Sequence, residues 1–531
     1  MKRTALFCLF TLFQAIAFAQ FKTVAETPLF KEPESGFAKL LQLKNGNTVV
    51  VHLTNRNGIN LTFYDPQHKL AANKHHSPKY EKLKGARVNA IFETEGTIVV
   101  MVSEIEERTP ILYRLVFDGT TGNLEREEKI AEADKFHFMD VRWIPEFDPV
   151  NSFAVSKDPS GDNYAVFVRR DKNEYADKNQ MEVIVYNGRH QETGRAFYQP
   201  PFKYASLNYL DMAVVGEANV YILGFAYNQI AASDREGQLV LLTLANGARK
   251  LKADLLELPD NRIADSGVVR YNPVTKKLLL LGTTHIEDVD PQPYGGFLAI
   301  IDPLKAQTEQ FLDIYPTEAD VQKKKLYGDK NGYTGIPQDL IVQKDGGFTI
   351  IYEELITDKH VPLNAQAYTD YLLENLAVSS YDASAKLLYT SFIPKKQLLK
   401  NTSYTPFYTA HRRLSAQQLI LGEQYRSFSY LHTNNKTFIF LNDAMQNEAP
   451  KNNTIAQMRT LNSGQAYALE TGTPLPARKQ FFGPLKKNET NTLSVFNIAD
   501  YNSEQNIFVT LKLEINGKSR NTRIVWLTPE K

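Results

Sequence analysis

Residues 37–66 read FAKLLQLKNGNTVVVHLTNRNGINLTFYDP. Three runs of apolar or β-branched residues follow one another in this stretch, and two Asn-Gly pairs separate them. The runs are Phe37 to Leu43, Thr48 to Thr54 and Ile59 to Tyr64, and the pairs are Asn45-Gly46 and Asn57-Gly58. Asn-Gly supplies the positive φ angles that tight hairpin turns require. The stretch therefore predicts a three-stranded antiparallel meander.

The meander ends in Tyr64-Asp65-Pro66, and this kind of ending recurs along the chain. Each copy is a run of β-forming residues followed by Asp or Asn, or by a looser turn, usually with Gly or Pro. The further copies end at Asp118-Gly119, Asn187-Gly188, Asn246-Gly247, Ile301-Asp302-Pro303, Tyr381-Asp382, Leu469 to Gly472 and Trp526 to Pro529. The eight copies stand about 53 to 88 residues apart, which leaves room for one four-stranded unit and its loops in each interval.

This period is typical of β-propeller blades. We predict an all-β fold, a single β-propeller of eight blades that occupies residues 20–531, with seven blades as the alternative. A tandem of β-sandwiches also has hairpins with polar turns, but sandwiches have no reason to repeat one strand ending through the whole chain. Few residues follow the last strand, Thr522 to Leu527. We therefore expect the segment Phe21 to Phe30 to complete the last blade and to close the ring.

Two insertions into the repeats are predicted. The first covers about residues 304–334 and contains Thr317 to Leu326, which has acidic residues at its start and lysines at its end, as a short helix would. The second covers about residues 398–425.

The N-terminus predicts export. Lys2-Arg3 precede an apolar run that ends in Ala17-Phe18-Ala19, the order of a secretory signal peptide. We predict that residues 1–19 are removed by cleavage between Ala19 and Gln20, and that the protein is secreted or periplasmic. Cys8 is the single cysteine and lies in this leader. The mature chain is therefore expected to carry no thiol for a disulfide, a zinc site or catalysis.

Composition excludes several classes of partner. The chain has 61 basic and 60 acidic residues, a net charge of +1, so it has no excess of positive charge for binding a phosphate backbone. We expect no nucleic-acid partner.

No stretch after the N-terminal leader approaches the roughly 20 apolar residues of a transmembrane helix. A monomer without a cofactor is expected.

Several segments resemble secreted β-propeller-like proteins of Bacteroidetes type that carry domains of unknown function. They are Ser156-Lys157-Asp158, Asp345-Gly346-Gly347 with Glu353, Ile393 to Gln397, and Phe440 to Asp443 with Asn447. The chain departs from the pattern before Ile393, where it has Leu388 to Ser391 in place of the expected aromatic residue. The resemblance implies the propeller fold and export. It implies no catalytic residues, because that family has no assigned activity.

One group of polar residues is a candidate ligand site. It consists of Glu353, Lys396, Gln397, Asn442 and Asp443, which stand near strand ends of successive repeats. Corresponding strand ends of neighbouring blades meet at one face of a propeller, so these side chains could converge on a polar ligand or pair a carboxylate with a lysine for acid-base work. The alternative is that they form ion pairs and hydrogen bonds between blades.

A metal site is not predicted. The densest group of potential ligands is His285, Glu287, Asp288 and Asp290, which could offer carboxylates to a hard cation. It lacks the alternating Asp/Asn pattern with Gly that folds a loop around calcium, so a solvated acidic turn is the favoured interpretation.

The sequence favours binding over catalysis. It contains neither His-Glu-x-x-His, nor Gly-x-Ser-x-Gly, nor the Gly-x-x-x-x-Gly-Lys-Ser/Thr loop. We expect an exported binding or scaffold module for a protein or glycan partner in the periplasm or at the cell surface. The alternative is a propeller hydrolase or lyase that acts on an extracellular polymer, with Glu353, Lys396 and Asp443 as its acid-base groups.

Overall fold

The structure is a computed structural model that describes residues 21–530 with gaps. The residues outside it are 1–20, 34, 79–85, 136–151, 171–180, 199–203, 205, 218, 229–236, 246–247, 260–262, 286–294, 329–331, 361–367, 400–404, 421, 434–435, 449–453, 486–490, 518 and 531. The described chain folds into eight antiparallel sheets. The prediction of an all-β, eight-bladed propeller is confirmed.

In blades 1 to 4 the strands follow one another from the innermost to the outermost. Blade 1 contains β3 (Phe37–Gln42), β4 (Thr48–Thr54), β5 (Gly58–Tyr64) and β6 (Leu70–His76). Blade 2 contains β7 (Arg87–Thr94), β8 (Thr97–Glu106), β9 (Thr109–Asp118) and β10 (Leu124–Glu132). Blade 3 contains β11 (Phe153–Lys157), β12 (Tyr164–Arg169), β13 (Met181–Tyr186) and β14 (Glu192–Tyr198). Blade 4 contains β15 (Ser206–Val215), β16 (Asn219–Tyr227), β17 (Gly237–Leu244) and β18 (Lys252–Leu255).

Blades 5 to 7 continue the same order, and blade 6 has one short additional strand. Blade 5 contains β19 (Ile263–Asn272), β20 (Lys277–His285), β21 (Gly295–Asp302) and β22 (Gln307–Ile314). Blade 6 contains β23 (Ile336–Val342), β24 (Phe348–His360), β25 (Tyr368–Tyr381), β26 (Leu387–Ile393) and β27 (Gln397–Leu399). Blade 7 contains β29 (Phe428–His432), β30 (Thr437–Ala444), β31 (Gly464–Glu470) and β32 (Lys479–Gln480).

Blade 8 joins the two ends of the chain. It contains β33 (Asn491–Ser494), β34 (Asp500–Asn502), β35 (Ile507–Asn516) and β36 (Ser519–Pro529), with β1 (Phe21–Glu26) and β2 (Phe30–Lys31) on its outer side. Phe21 is opposite Pro529 in the β1–β36 pair. The ring is therefore closed by its N-terminal strand, as predicted.

Helices are short in the described chain. An α-helix spans Thr317–Tyr327, which confirms the predicted helix, and a second spans Tyr408–His411. Single 3₁₀ turns lie at Glu423–Tyr425, Met445–Glu448, Leu461–Ser463 and Phe496–Ile498. Residues 307–314 of the span assigned to the first insertion form β22, the outermost strand of blade 5.

The recurring Asp or Asn has a structural role at the end of the third strand of a blade. Asp65 Oδ1 accepts hydrogen bonds from the backbone N–H groups of Gln67 and Lys69, at 2.9 and 2.8 Å. Asp118 and Asp382 accept equivalent bonds in blades 2 and 6. A side chain that binds the backbone two to four residues later fixes a tight turn. The recurring motif is therefore the turn that leads into the outermost strand.

The innermost strands line a central channel. The first strands of successive blades contact one another, as β3 does with β7, β7 with β11 and β11 with β15. Because every blade repeats the same meander around the axis, these strands all run in one direction. We call the face where they begin the upper face and the face where they end the lower face.

Candidate functional site

Glu353 forms a buried ion pair. Its Oε1 atom lies 2.5 Å from Nζ of Lys395, and neither side chain exposes any surface. The pairing of β24 with β25 is irregular between Glu353 and Leu355, which marks a β-bulge. The intervening Glu354 is also buried, and its Oε1 lies 2.8 Å from Nζ of Lys323 in the helix Thr317–Tyr327. The bulge thus accompanies two successive buried glutamates, each with its own lysine.

Gln397 and Asn442 connect blades 6, 7 and 8. Lys395 Nζ donates to Gln397 Oε1 at 3.5 Å, and Gln397 Nε2 donates to the carbonyl oxygen of Asn442 at 2.5 Å. Asn442 Nδ2 donates to the carbonyl oxygens of Tyr425 and Ser494, at 2.9 and 2.8 Å. Ser494 N donates back to Asn442 Oδ1 at 2.9 Å. These amides act as bridges between the blades.

Asp443 forms the second ion pair of this region. Its Oδ2 atom lies 2.7 Å from Nη1 of Arg478 and accepts a bond from Nδ2 of Asn447 at 3.0 Å. Burial raises the pKa of Asp443, and Arg478 opposes this effect. Arg478 also donates to the carbonyl oxygen of Pro394. The pair therefore holds blade 7 against the segment that leaves blade 6.

Four of the five predicted ligand residues come together in this network, namely Glu353, Gln397, Asn442 and Asp443. Lys396 does not join it: its Nζ pairs with Glu374 Oε1 at 2.8 Å, and its side chain is about one-third exposed. The neighbouring Lys395 takes the buried position. The contacts are those of the inter-blade alternative, and the ligand role of the five residues stays a prediction.

The metal candidate lies mostly outside the described residues. Glu287, Asp288 and Asp290 are not described, and of His285 the structure gives the backbone alone. Within the described ranges, no three His, Cys, Asp or Glu side chains are arranged to hold a metal ion.

No described helix is long and apolar enough to cross a bilayer.

A second region has the geometry of a binding site, and it begins with residues 405–420, which we call the plug segment. Phe407 is buried, and its backbone N–H donates to the carbonyl oxygen of Pro337 in β23 at 3.1 Å. Leu414 O accepts from Ile91 N in β7 at 2.8 Å. The strand β28 (Gln417–Gln418) pairs with the start of β3. The plug segment therefore crosses the channel and contacts the innermost strands of blades 6, 2 and 1.

Side chains fasten the plug segment to the channel wall. Lys39 Nζ donates to the carbonyl oxygens of Arg413 and Ser415, at 2.7 and 3.3 Å. Arg413 Nη2 lies 2.5 Å from Oδ1 of the buried Asp339 in β23. The contacts on β3 and β23 involve the first halves of these strands, and the bond to Ile91 lies near the middle of β7. The plug segment therefore fills the upper part of the channel and reaches its middle.

A cavity of about 400 Å³ lies beside the plug segment in the channel. The innermost strands of blades 1, 2, 3, 7 and 8 contribute to its wall. Its lining includes Lys39, Gln42, Glu93, Lys157, Phe428, Ser429, Phe496, Asn497 and Asp500. Gln42 and Lys157 are the last residues of β3 and β11, and Glu93 is next to last in β7. The cavity therefore extends toward the lower face.

Burial in the channel shifts the acidity of four lining groups. It lowers the pKa of Lys39 to about 8, against the weaker opposing effect of Asp500. It raises the pKa values of Glu93 and Asp500 and lowers that of Lys157. Ionisable groups with shifted pKa values in one cavity are typical of functional sites.

No local sequence pattern indicates this cavity, because its residues lie far apart in the chain. Asp500 Oδ2 accepts a 2.7 Å bond from Gln42 N across 458 residues of sequence. Each of these residues stands alone at the end of a strand without a motif. The predicted insertion at about 398–425 was the available hint, but its path across the channel depends on tertiary contacts such as that of Phe407 with Pro337.

Comparison with known proteins supplies no family. No family model matches the chain, and no curated protein sequence matches it. The chain is similar to a crystal structure of polysaccharide lyase Uly1, with 11% identity and a TM-score of 0.37 over 86% of this chain and 93% of that one. It is similar to the Dos1 propeller, with 10% identity and a TM-score of 0.35 over 96% of each chain.

A third similar structure is a protein of unknown function from Bacteroides caccae, with 8% identity and a TM-score of 0.26 over 67% of this chain and 93% of that one. At these values the matches transfer no residue role and no activity. The resemblance to the Bacteroidetes-type family stays a prediction beyond the propeller fold itself.

Proposed function

We propose that the protein is an exported binding protein that holds a polar ligand in the channel cavity. The observation that carries the proposal is the division of the channel: the plug segment fills its upper part, and a cavity of about 400 Å³ with four charged groups of shifted pKa remains beside it. Binding cavities in proteins have this size and this mixture of apolar wall and few polar groups.

The contacts of the charged groups support binding more than catalysis. Asp500 accepts bonds from the backbone N–H groups of Gln42 and Tyr501, and both carboxylate oxygens of Glu93 accept from Lys44 N. Such fixed groups present charge in a constant place, which suits recognition. The described lining includes no histidine and no cysteine, the usual bases and nucleophiles.

A hydrolase or lyase that acts on an extracellular polymer is the second candidate. The pKa of Lys39, about 8, favours it, because a lysine with such a pKa is partly neutral near physiological pH and can accept a proton. Release of new chain ends from a polymer, lost in the Lys39→Met variant and kept in Lys386→Met, would support this candidate. Lys386 is exposed in a turn of blade 6 and provides the matched control.

The partner and the location follow from the sequence. We infer that residues 1–19 direct export to the periplasm or the cell surface, where the partner is a glycan or a protein, and that the blade loops around the lower face form the rim of the site. Mass spectrometry of exported protein should give an N-terminus at Gln20. An intact N-terminus would contradict export by this route.

Thiol labelling tests the proposed site, because the mature chain is expected to have no cysteine. Three variants are compared: Ser429→Cys in the cavity wall, Ser160→Cys on an exposed turn, and Ser379→Cys in the core. Iodoacetamide should label Ser429→Cys and Ser160→Cys, whereas a maleimide attached to a polyethylene glycol chain should label only Ser160→Cys. Ser379→Cys should react with neither reagent. A Ser429→Cys variant as inert as Ser379→Cys would contradict an accessible cavity.

The same variants identify the class of ligand. Glycans and peptides are added during labelling, and a ligand of the cavity should slow the reaction of Ser429→Cys without changing that of Ser160→Cys. If no glycan and no peptide slows the labelling of Ser429→Cys, the proposed function is contradicted.

A further inference from the structure

The amine of Lys39 has the hydrogen-bond partners of a neutral amine. Its side chain is half-buried and lines the channel cavity. Nζ donates to the carbonyl oxygens of Arg413 and Ser415, at 2.7 and 3.3 Å, and no other described group accepts a bond from it. An ammonium group has three N–H donors, whereas a neutral amine has two N–H donors and a lone pair. The two carbonyl oxygens therefore satisfy the hydrogens of the neutral amine and leave its lone pair free.

The surroundings of Lys39 favour the same neutral form. Asp500 is the acidic group whose charge acts on Lys39, but its carboxylate accepts bonds from the backbone N–H groups of Gln42 and Tyr501, and the described side chains of Asp500 and Lys39 form no ion pair. Burial outweighs the effect of Asp500 and lowers the pKa of Lys39 to about 8. About one-tenth of this amine is therefore neutral at pH 7, against less than about one-thousandth of an ordinary exposed lysine.

Lys157 lines the same cavity but has a charged partner. Its Nζ donates to the carbonyl oxygens of Asp158 and Gly161, and Oδ1 of Asp162 lies 3.9 Å away. Burial lowers the pKa of Lys157 as well, and the charge of Asp162 opposes this effect. A nearby carboxylate stabilises the ammonium form of a lysine. Of the two lysines in the described lining, Lys39 is therefore the better nucleophile.

We propose that Lys39 forms an imine in the channel cavity with the carbonyl group of an aldehyde or ketone ligand, such as the open form of a reducing sugar. The nitrogen lone pair attacks the carbonyl carbon, and a C–N bond forms. The carbonyl oxygen then leaves as water with the two amine hydrogens, and a C=N bond remains. Lysines that are desolvated in enclosed sites react in this way with carbonyl compounds. This inference rests on the proposed function and names the ligand class of that site.

Reductive trapping tests the inference on the wild-type protein at pH 7. The protein is incubated with glyceraldehyde, or with its ketone isomer dihydroxyacetone, and with cyanoborohydride, which reduces an imine to a stable secondary amine. Mass spectrometry of the peptides then quantifies the modification of each lysine. We expect at least one of the two probes to modify Lys39 about tenfold or more faster than the exposed Lys386, and also faster than Lys157. Modification of Lys39 no faster than that of Lys386 with both probes would overturn the inference.

Controls assign the reaction to Lys39. Glycerol, which has no carbonyl group, should give no adduct under the same conditions. Lys39→Met should lose the fast modification, whereas Lys386→Met should keep it. If Lys39→Met fails to fold, the comparison of Lys39 with Lys386 in the wild-type protein decides.

The failure of this inference can be told apart from failure of the proposed function. If Ser429→Cys is labelled by iodoacetamide but Lys39 is trapped no faster than Lys386, the imine inference is wrong and the cavity remains a site for a ligand that binds without a covalent bond. If Ser429→Cys is not labelled, both are wrong.

Discussion

Lys395 Nζ lies 2.5 Å from Glu353 Oε1, and the two side chains are completely enclosed. Removing one partner of such a pair leaves a buried charge without compensation. We expect Glu353→Gln and Lys395→Met each to lower the free energy of unfolding by about 3 to 5 kcal/mol, as denaturant titration would show. The double variant Glu353→Leu/Lys395→Met should lose less free energy of unfolding than either single variant.

The control for this prediction is the adjacent Lys396, whose side chain is about one-third exposed and pairs with Glu374. Lys396→Met should change the free energy of unfolding by no more than about 1 kcal/mol. If Lys396→Met lowers the free energy of unfolding as much as Lys395→Met does, the placement of the two lysines is contradicted.

These two lysines show why part of the candidate site could be predicted from sequence and part could not. Successive side chains of an extended segment point in opposite directions, so a Lys-Lys pair places one lysine inside and one outside. Which lysine is inside depends on the packing of blade 6 against blade 7. Lys396 was the predicted site residue, and the structure buries Lys395 instead.

Ring closure is the subject of the second prediction. Phe21 is 2% exposed, and its ring centroid lies 5.0 to 6.4 Å from those of Phe438, Phe440, Phe481 and Phe508. We expect Phe21→Ala to cost about 3 to 5 kcal/mol in denaturant unfolding, because it removes a buried ring at the joint between blades 7 and 8. Lys22→Ala, on the exposed side of β1, should stay within about 0.5 kcal/mol of the wild type. Similar effects of the two variants would contradict the closure.

The fold could be predicted from the sequence because the turn that marks each repeat is formed by residues close together in the chain. The turn after the third strand depends on one side chain, such as Asp65, which binds backbone groups two and four residues later. Its signature is therefore contiguous, and the structure shows it in blades 1, 2, 3, 5 and 6, at Asp65, Asp118, Asn187, Asp302 and Asp382. The channel cavity depends on contacts such as Asp500 with Gln42, and no local pattern records those.

The third prediction concerns Glu104, which is buried in blade 2. Burial, and secondarily Glu106, raises its pKa from 4.5 to about 7. A raised pKa means that the folded state favours the protonated acid, so its contribution to stability is complete below about pH 4.5 and is lost as the pH rises through about 7. Glu104→Gln, which cannot ionise, should match the wild type at pH 4 and be more stable by about 1 to 3 kcal/mol at pH 8.

Melting curves between pH 4 and pH 8 measure this difference. Glu107→Gln, at an exposed position of the same hairpin, is the matched control and should show no such pH-dependent gain. A constant difference between Glu104→Gln and the wild type across this range would show that the carboxyl group does not titrate there.

Lys39 lines the channel cavity and forms no ion pair with any described residue, and amine labelling of the wild-type protein tests most directly whether this lysine is accessible to solvent. The protein is treated briefly with an amine-acylating reagent at pH values from 6 to 10, and each lysine is quantified by mass spectrometry. We expect Lys39 to react with half of its maximal rate near pH 8, the exposed Lys386 to react as an accessible reference, and the enclosed Lys395 to stay unlabelled in the folded protein. A Lys39 as unreactive as Lys395 up to pH 10 would contradict the account.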